Sequence, residues 1–145
     1  MEEISSLEQL IESEHRVALI ETASAEPIFE QFKRIALTTG RAIYGWNPEH
    51  GLYRLGVSHI FIPRTRTPVD VLAYISSSRH YGVYLLNDFG DALAKPAVQR
   101  QLQNIVEKAD NVRRLVILTG QRMQPGSELA PHVVRLRHQA AQQVG

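Results

Sequence analysis

Short apolar runs alternate with segments of helical spacing along this chain, and this alternation constrains the fold more than any other feature. Runs of strand length cover residues 16–21, 41–46, 82–86 and 113–118, and residues 131–137 alternate like an edge strand. Strands that are joined by helices pair in parallel, and continuous apolar runs are typical of strands buried on both faces. We therefore predict a three-layer α/β domain with a mainly parallel, five-stranded sheet and helices on both faces.

Capping residues predict where the helices begin and end. Thr22 or Ser24 is the expected cap of the second helix, and Gly40 is expected to end that helix in a left-handed conformation. Thr67 is the expected cap of a helix that opens at Pro68, where the missing N–H of proline is tolerated.

Composition limits the class of protein. The 145 residues suit one domain, residues 1–145, and a hydrophobic share of 43% is enough for a folded core. The chain has no cysteine, which excludes a disulfide framework and a thiolate metal site. It contains no apolar run of membrane-spanning length and no secretory signal pattern. With a net charge of +1, we expect a cytoplasmic protein that binds neither membranes nor nucleic acid.

Charge is unevenly distributed between the two ends of the sequence. Residues 1–15 contain five glutamates and no lysine or arginine, whereas residues 111–138 contain five arginines and one acid, Glu128. This polarity is compatible with head-to-tail contacts between subunits. The plainer interpretation is two solvated faces, because exposed charges usually contribute little.

The turn after the first predicted strand decides against a conventional phosphate site. In open parallel sheets, ligands bind beyond the carboxyl ends of the strands. A phosphate loop there needs G-x-x-x-x-G-K-[ST], whose glycines wrap the anion and whose lysine reaches the phosphates. Here residues 21–30 read ETASAEPIFE, with no glycine or lysine and with carboxylates at Glu21 and Glu26. We expect nucleotide affinity to be largely lost and no cofactor to be bound.

Two other strand ends keep features of a nucleotide site. The run VYLLND ends in Asp88, as in the Walker B element whose acid helps to hold Mg²⁺, and Thr119 ends the fourth strand. Together with Ser24, these residues suggest an alternative function, a divergent nucleotide binder with weak or no hydrolysis. An acid at this position is also typical of an ordinary turn, because its side chain bonds the local backbone.

Other catalytic arrangements find little support. The six histidines are scattered, and the nearest approach to a metal cluster combines Glu49 and His50 with His59 and His80. No G-x-S-x-G elbow is present for a hydrolase serine. A phosphorylated-aspartate receiver would need paired acids after its first strand, where this chain has only Glu21. We therefore predict no catalytic residue and no metal, and we expect a domain that is not an enzyme.

The segment 47–67 offers contacts for a protein partner. It is predicted as a long loop with at most a small hairpin, because it contains two prolines and two glycines. The candidate contacts are the apolar Ile60, Phe61 and Ile62 with the basic Arg64 and Arg66. They predict binding to another protein or to a second copy of the chain, although the basic residues are also typical of a solvated loop.

Several segments together resemble a known family. They are GRAIYGWNPEHGL, TPVDVL, VYLLNDFGDAL, RRLVILTG and PGSELAPHV. In this order they resemble the amino-terminal domain of a group of AAA+ ATPases from cyanobacteria, plastids and other bacteria, over about residues 7 to 137. The resemblance implies a P-loop-NTPase-like fold that lacks the phosphate loop and normally precedes an ATPase module. It implies a non-catalytic role in regulation, assembly or recruitment, and Asp88 matches the family's strand-end acid.

Overall fold

A computed structural model describes residues 7–57 and 60–137 of the chain, and one sheet organises them. The strands are β1 (Val17–Glu21), β2 (Ile43–Asn47), β3 (Gly51–Arg54), β4 (Phe61–Ile62), β5 (Gly82–Leu86), β6 (Arg114–Gly120) and β7 (Val134–Arg137). Their spatial order is β4-β3-β2-β5-β6-β1-β7. The five strands from β2 to β7 in this order are mutually parallel, and β3 and β4 run antiparallel at one edge.

Helices cover both faces of the sheet. They are α1 (Leu7–Glu12), α2 (Glu26–Thr39), α3 (Pro68–Ser77), α4 (Gly90–Leu93) and α5 (Pro96–Glu107), and a 3₁₀ turn spans Ala130–His132. The buried side chains of α1 and α2 belong to one core cluster, and those of α3, α4 and α5 belong to the other. Since successive strand residues point to opposite faces, β6 serves both clusters, and all seven of its residues are buried.

The predicted parallel sheet is confirmed, but the number of strands is wrong. Five parallel strands were expected, and the described residues contain seven strands in all. The two additional strands, β3 and β4, form a hairpin within the segment that was predicted as a long loop. The Thr65 hydroxyl secures this hairpin, because it accepts from the Leu52 N–H at 2.8 Å and donates to the Ile62 carbonyl at 2.7 Å. A two-residue strand held by a side chain leaves almost no periodic signal in a sequence.

The predicted helix boundaries are partly correct. Gly40 ends α2 in the left-handed region with φ 72°, and the Thr67 hydroxyl accepts from the Asp70 N–H at 3.0 Å, as expected. The expected cap of α2 is wrong, because that helix begins at Glu26 behind Ala25 and has no side-chain cap. The Thr22 hydroxyl instead closes a local turn with the backbone of Ser24.

Membrane insertion has no support from the helices. Among the described residues, every helix is too short or too polar to cross a bilayer.

Candidate functional site

The carboxyl edge of the parallel sheet is the first place to look for a ligand site. The connection that leaves β1 continues into α2 on one face, whereas the connection that leaves β5 continues into α4 and α5 on the other face. In open α/β sheets such a change of face creates a crevice beyond the strand ends. The sequence candidates Ser24, Asp88 and Thr119 all follow or end strands at this edge.

Backbone hydrogen bonds close this edge from strand to strand. The Thr22 N–H donates to the Gly120 carbonyl at 3.0 Å, which joins the end of β1 to the end of β6. The Phe89 N–H donates to the Thr119 carbonyl at 2.8 Å, which joins β6 to the turn after β5. The Thr22 and Phe89 N–H groups are therefore already bonded to neighbouring strand ends.

Two glycines make this closure possible. A Cβ at Gly90 would lie 2.5 Å from the Gln121 carbonyl oxygen, and a Cβ at Gly120 would lie 2.9 Å from the Gly90 nitrogen. Any side chain at either position would therefore force the two turns apart. Sequence reasoning missed this pair, since the glycines are far apart in the chain and belong to no phosphate-binding motif.

The three candidate ligand residues differ in their surroundings. Thr119 is fully buried, and its hydroxyl donates to the Asn87 side-chain oxygen at 3.2 Å. Asp88 is exposed and sits in the left-handed region with φ 57°. Ser24 is exposed in the turn before α2. The structure thus places Thr119 beside the turn that carries Asp88, but it commits the threonine hydroxyl to that turn.

Glu21 also has a partner at this edge. Its carboxylate accepts from the Arg135 guanidinium of β7 at 2.9 Å, with both side chains about half exposed. The acid at the end of β1 is therefore paired with a cation of the same sheet.

Phe89 and Trp46 fill the space beneath the carboxyl edge. Both are buried, and their rings meet edge-on with centroids 5.4 Å apart. The Trp46 indole N–H donates to the Thr65 carbonyl. Trp46 is thus a core residue.

A second candidate site lies on the hairpin of β3 and β4. We define the hairpin patch as Leu37, Val57, Ile60 and Phe61, whose side chains are 64%, 44%, 54% and 47% exposed. These are four of the five exposed large apolar residues in the described part of the chain, the fifth being Tyr74. Leu37 of α2 reaches the hairpin turn, because a Cβ at Gly56 would lie 3.1 Å from its Cδ2. Exposed apolar residues gathered in one region are typical of a binding surface.

Contacts between aromatic rings connect the hairpin patch to the sheet. Phe61 lies opposite Tyr53 in the ladder, with ring centroids 6.0 Å apart, and the exposed His50 stacks on Phe61 at 5.2 Å. The Tyr53 ring and the Phe29 ring of α2 both lie over Gly45, where a Cβ would approach each within 2.9 Å. Burial raises the pKa of Tyr53, so its phenol stays neutral. We call the Tyr53 and Phe29 rings the aromatic base of the patch.

The predicted contact residues divide between two faces. Phe61 is exposed on the α2 side, but Ile62 packs against the core on the α3 side, since neighbouring strand residues alternate. Ile62 is therefore partly buried in a strand instead of exposed in a loop, and its role as a partner contact stays a prediction. Arg64 and Arg66 are exposed just beyond β4, as predicted.

The family is decided by comparison with known proteins. A family model described as SpoVK-like AAA ATPase, N-terminal domain, matches residues 3–138. The chain belongs to this family. Among curated proteins, none matches the chain. The resemblance inferred from the sequence is thus confirmed over nearly all of its length, and the α/β architecture of this SpoVK-like N-terminal domain is the one that the resemblance implied.

Some basic residues of the SpoVK-like domain form hydrogen bonds within the fold instead of facing solvent. Arg114 is only 2% exposed and donates to the carbonyls of Ile75 and Ser78 at the end of α3 and to both oxygens of Asp110. The interpretation of the arginine-rich segment as a solvated face is therefore wrong for this residue.

Two further arginines act in the same way at the amino edge of the sheet. Arg113 donates to the carbonyls of Ile11, Ser13 and His15, at and beyond the end of α1. Arg16 donates to the carbonyls of Ile105 and Lys108, at 3.0 and 2.6 Å, at the end of α5. Burial lowers the pKa of Arg113. The sequence predicted none of these partners, because they lie up to 102 positions away.

The histidine candidates do not converge on a metal. Within residues 7–57 and 60–137, no three histidine, aspartate or glutamate side chains are placed to hold an ion. His59, which the sequence grouped with His50, lies outside the described residues.

Proposed function

We propose that this chain is a non-catalytic protein-binding domain that helps to assemble or regulate an AAA+ ATPase. Membership of the SpoVK-like N-terminal family supports the association with such an ATPase.

The hairpin patch carries this proposal. Burying an exposed apolar side chain is worth about 1.5–3 kcal/mol, so a surface that exposes Phe61, Ile60 and Leu37 together favours association with another apolar surface. The aromatic base under Phe61 holds the patch in one arrangement, which lowers the entropic cost of binding.

The closed carboxyl edge supports a role without catalysis. The two glycines and the Phe89–Thr119 hydrogen bond occupy the position between the ends of β5 and β6, and Glu21 is paired with Arg135 at the end of β1. A triphosphate would have to displace these contacts and would meet carboxylates instead of an amine.

A divergent nucleotide site is the second candidate function. Asp88 favours it, because a non-glycine residue at positive φ marks a turn held by its surroundings, and its carboxylate faces solvent at the carboxyl edge. With Thr119 and Ser24 it would form a weak site. Titration calorimetry with ATP and Mg²⁺ separates the two functions. We expect no heat and no change in melting temperature, whereas a rise that is lost in Asp88→Asn would establish nucleotide binding.

The main experiment measures ATP hydrolysis by a SpoVK-like AAA ATPase module that carries this domain. We expect Phe61→Ser to change the rate or the assembly of the ATPase. Tyr74→Ser, which removes an exposed ring outside the patch, and Asp88→Asn should leave both unchanged. If Asp88→Asn alters hydrolysis and Phe61→Ser does not, the carboxyl edge is the functional site and the proposal is wrong.

A further inference from the structure

We propose that the hairpin patch binds an amphipathic acidic segment of a partner protein, one that presents apolar side chains flanked by aspartate or glutamate. This inference rests on the proposed function and names the chemistry of the partner. It follows from the charges around the patch and from what the rest of the surface can offer.

Basic side chains lie next to the residues of the hairpin patch on α2 and follow the patch directly in the chain after β4. Lys33 and Arg34 are exposed one helical turn before Leu37 on α2, so they lie beside it on the helix surface. Arg64 and Arg66 are exposed immediately after β4. An apolar centre with a rim of one charge sign selects a partner that carries the opposite charge.

Few acids offset these cations. Residues 48–67 contain three arginines and a single acid, Glu49. On α2 the acids Glu26 and Glu30 precede Lys33, so the end of the helix nearest the patch is basic. The local charge is therefore positive even though the whole chain carries only +1.

A second copy of the chain is a poor occupant. A two-fold contact of patch on patch would bring the basic residues beside one patch close to those beside the other, and like charges oppose such a contact. A head-to-tail contact would need another exposed apolar surface. Outside the patch, Tyr74 is the remaining exposed large apolar residue of the described part of the chain.

Addition of a long strand to β4 is also disfavoured. The strand has two residues and is followed by Pro63, which has no N–H to donate. Arg64 then turns the chain with φ 60°. Such features protect an edge strand against pairing. Recognition therefore depends on side chains, and an amphipathic helix or turn fits this surface better than an extended strand.

Two matched peptides test the inference with the domain as the receptor. Both carry leucines at helical spacing, one with glutamate and the other with lysine at every polar position, and binding is measured by fluorescence anisotropy. We expect the glutamate peptide to bind at least about tenfold more tightly, with an affinity that falls as salt is added. Phe61→Ser should abolish this binding, and Tyr74→Ser should not.

Charge reversal supplies the specific control. We expect Lys33→Glu combined with Arg64→Glu to reverse the preference toward the lysine peptide, whereas Arg100→Glu, an exposed change on α5, should leave it intact. Folding of each variant is checked by its melting temperature.

The outcomes separate this inference from the proposed function. Equal binding of both peptides through Phe61 overturns the acidic partner but keeps a protein-binding patch. Concentration-dependent dimers that dissociate in Phe61→Ser, seen by sedimentation, assign the patch to a second copy and also overturn the inference. If neither peptide binds at millimolar concentration, the inference is wrong. The proposed function is then tested by the ATPase experiment alone.

Discussion

The two edges of the same parallel sheet are held by opposite means. At the amino edge, Arg16, Arg113 and Arg114 donate to carbonyls at the ends of three helices. At the carboxyl edge, the joining contacts are backbone hydrogen bonds, made possible by Gly90 and Gly120. The amino edge depends on arginine side chains. At the carboxyl edge the approach of the two turns depends on two residues that have no side chain, and the Glu21–Arg135 pair and the Thr119–Asn87 bond add to it.

This difference follows from the direction of the helices. In an alternating α/β chain the helices end at the edge where the next strands begin, and a helix end leaves unpaired carbonyls and a partial negative charge. The last turns of α1, α3 and α5 contain no basic residue. Arginines at the starts of β1 and β6 therefore supply the missing donors. The local backbone bonds at these helix ends are thus supplemented by donors from distant positions in the sequence.

The largest loss of stability is expected from a substitution that removes contacts at the amino edge. Arg114→Met removes a buried guanidinium that bonds Ile75, Ser78 and Asp110, so two carbonyls and a carboxylate each lose a charged donor. We expect a loss of about 3 kcal/mol in the free energy of unfolding, measured by urea denaturation. Arg100→Met, which changes an exposed arginine of α5, should stay within about 0.5 kcal/mol. Equal losses in the two variants would contradict the claim that the Arg114 hydrogen bonds stabilise the amino edge.

The next largest loss of stability is expected from a substitution that separates the turns at the carboxyl edge. Gly90→Ala places a Cβ 2.5 Å from the Gln121 carbonyl, so the turns after β5 and β6 must separate. We expect a loss of about 1–3 kcal/mol in the same denaturation experiment. Gly40→Ala is the matched control, because its Cβ would meet no atom within 4 Å and only its φ of 72° opposes it. That control should cost about 1–2 kcal/mol, from the backbone alone.

The amide exchange of Phe89 distinguishes the two glycine variants further. In Gly90→Ala the hydrogen bond from the Phe89 N–H to the Thr119 carbonyl should open, and its exchange rate should rise. In Gly40→Ala this rate should change only with global stability. Unchanged protection in both variants would show that the turns do not depend on the glycine contact.

The sequence predicted the periodic parts of this molecule and missed the parts that depend on distant contacts. The five parallel strands followed from apolar runs and intervening helices, and Gly82–Leu86 was predicted to the residue. The hairpin was predicted only as a possible feature of a long loop, because β4 has two residues and part of its bonding passes through the Thr65 hydroxyl.

The candidate sites show the same division. The exposure of Phe61 and Arg64 followed from local composition, but the inward orientation of Ile62 depends on a register that only the folded hairpin defines. The contact between Gly90 and Gln121 joins two strand ends about 30 positions apart in the chain. Sequence patterns within a short window cannot contain such information.

A smaller effect sharpens the account of the carboxyl edge. Thr119→Val keeps the shape of the side chain but removes the hydroxyl that donates to the Asn87 oxygen at 3.2 Å. We expect a loss of about 0.5–1.5 kcal/mol, by urea denaturation. Thr38→Val is the control, because its exposed hydroxyl bonds only carbonyls of its own helix, and we expect little change. A larger loss in Thr38→Val would show that the Thr119 bond adds nothing.

The smallest expected effect tests whether charge operates at the amino edge. The hydrogen bonds from Arg114 lower the pKa of Asp110 below its ordinary value, so the folded state favours the carboxylate. The stability from this pair is therefore present above the unfolded pKa of about 4 and is lost as the pH falls through the lower, folded pKa. Because the Asp110 side chain is 33% exposed, solvent weakens the effect. Melting temperatures of the native protein and Asp110→Asn should converge as the pH falls below about 4, while a constant difference would mean that Asp110 acts by shape and hydrogen bonding alone.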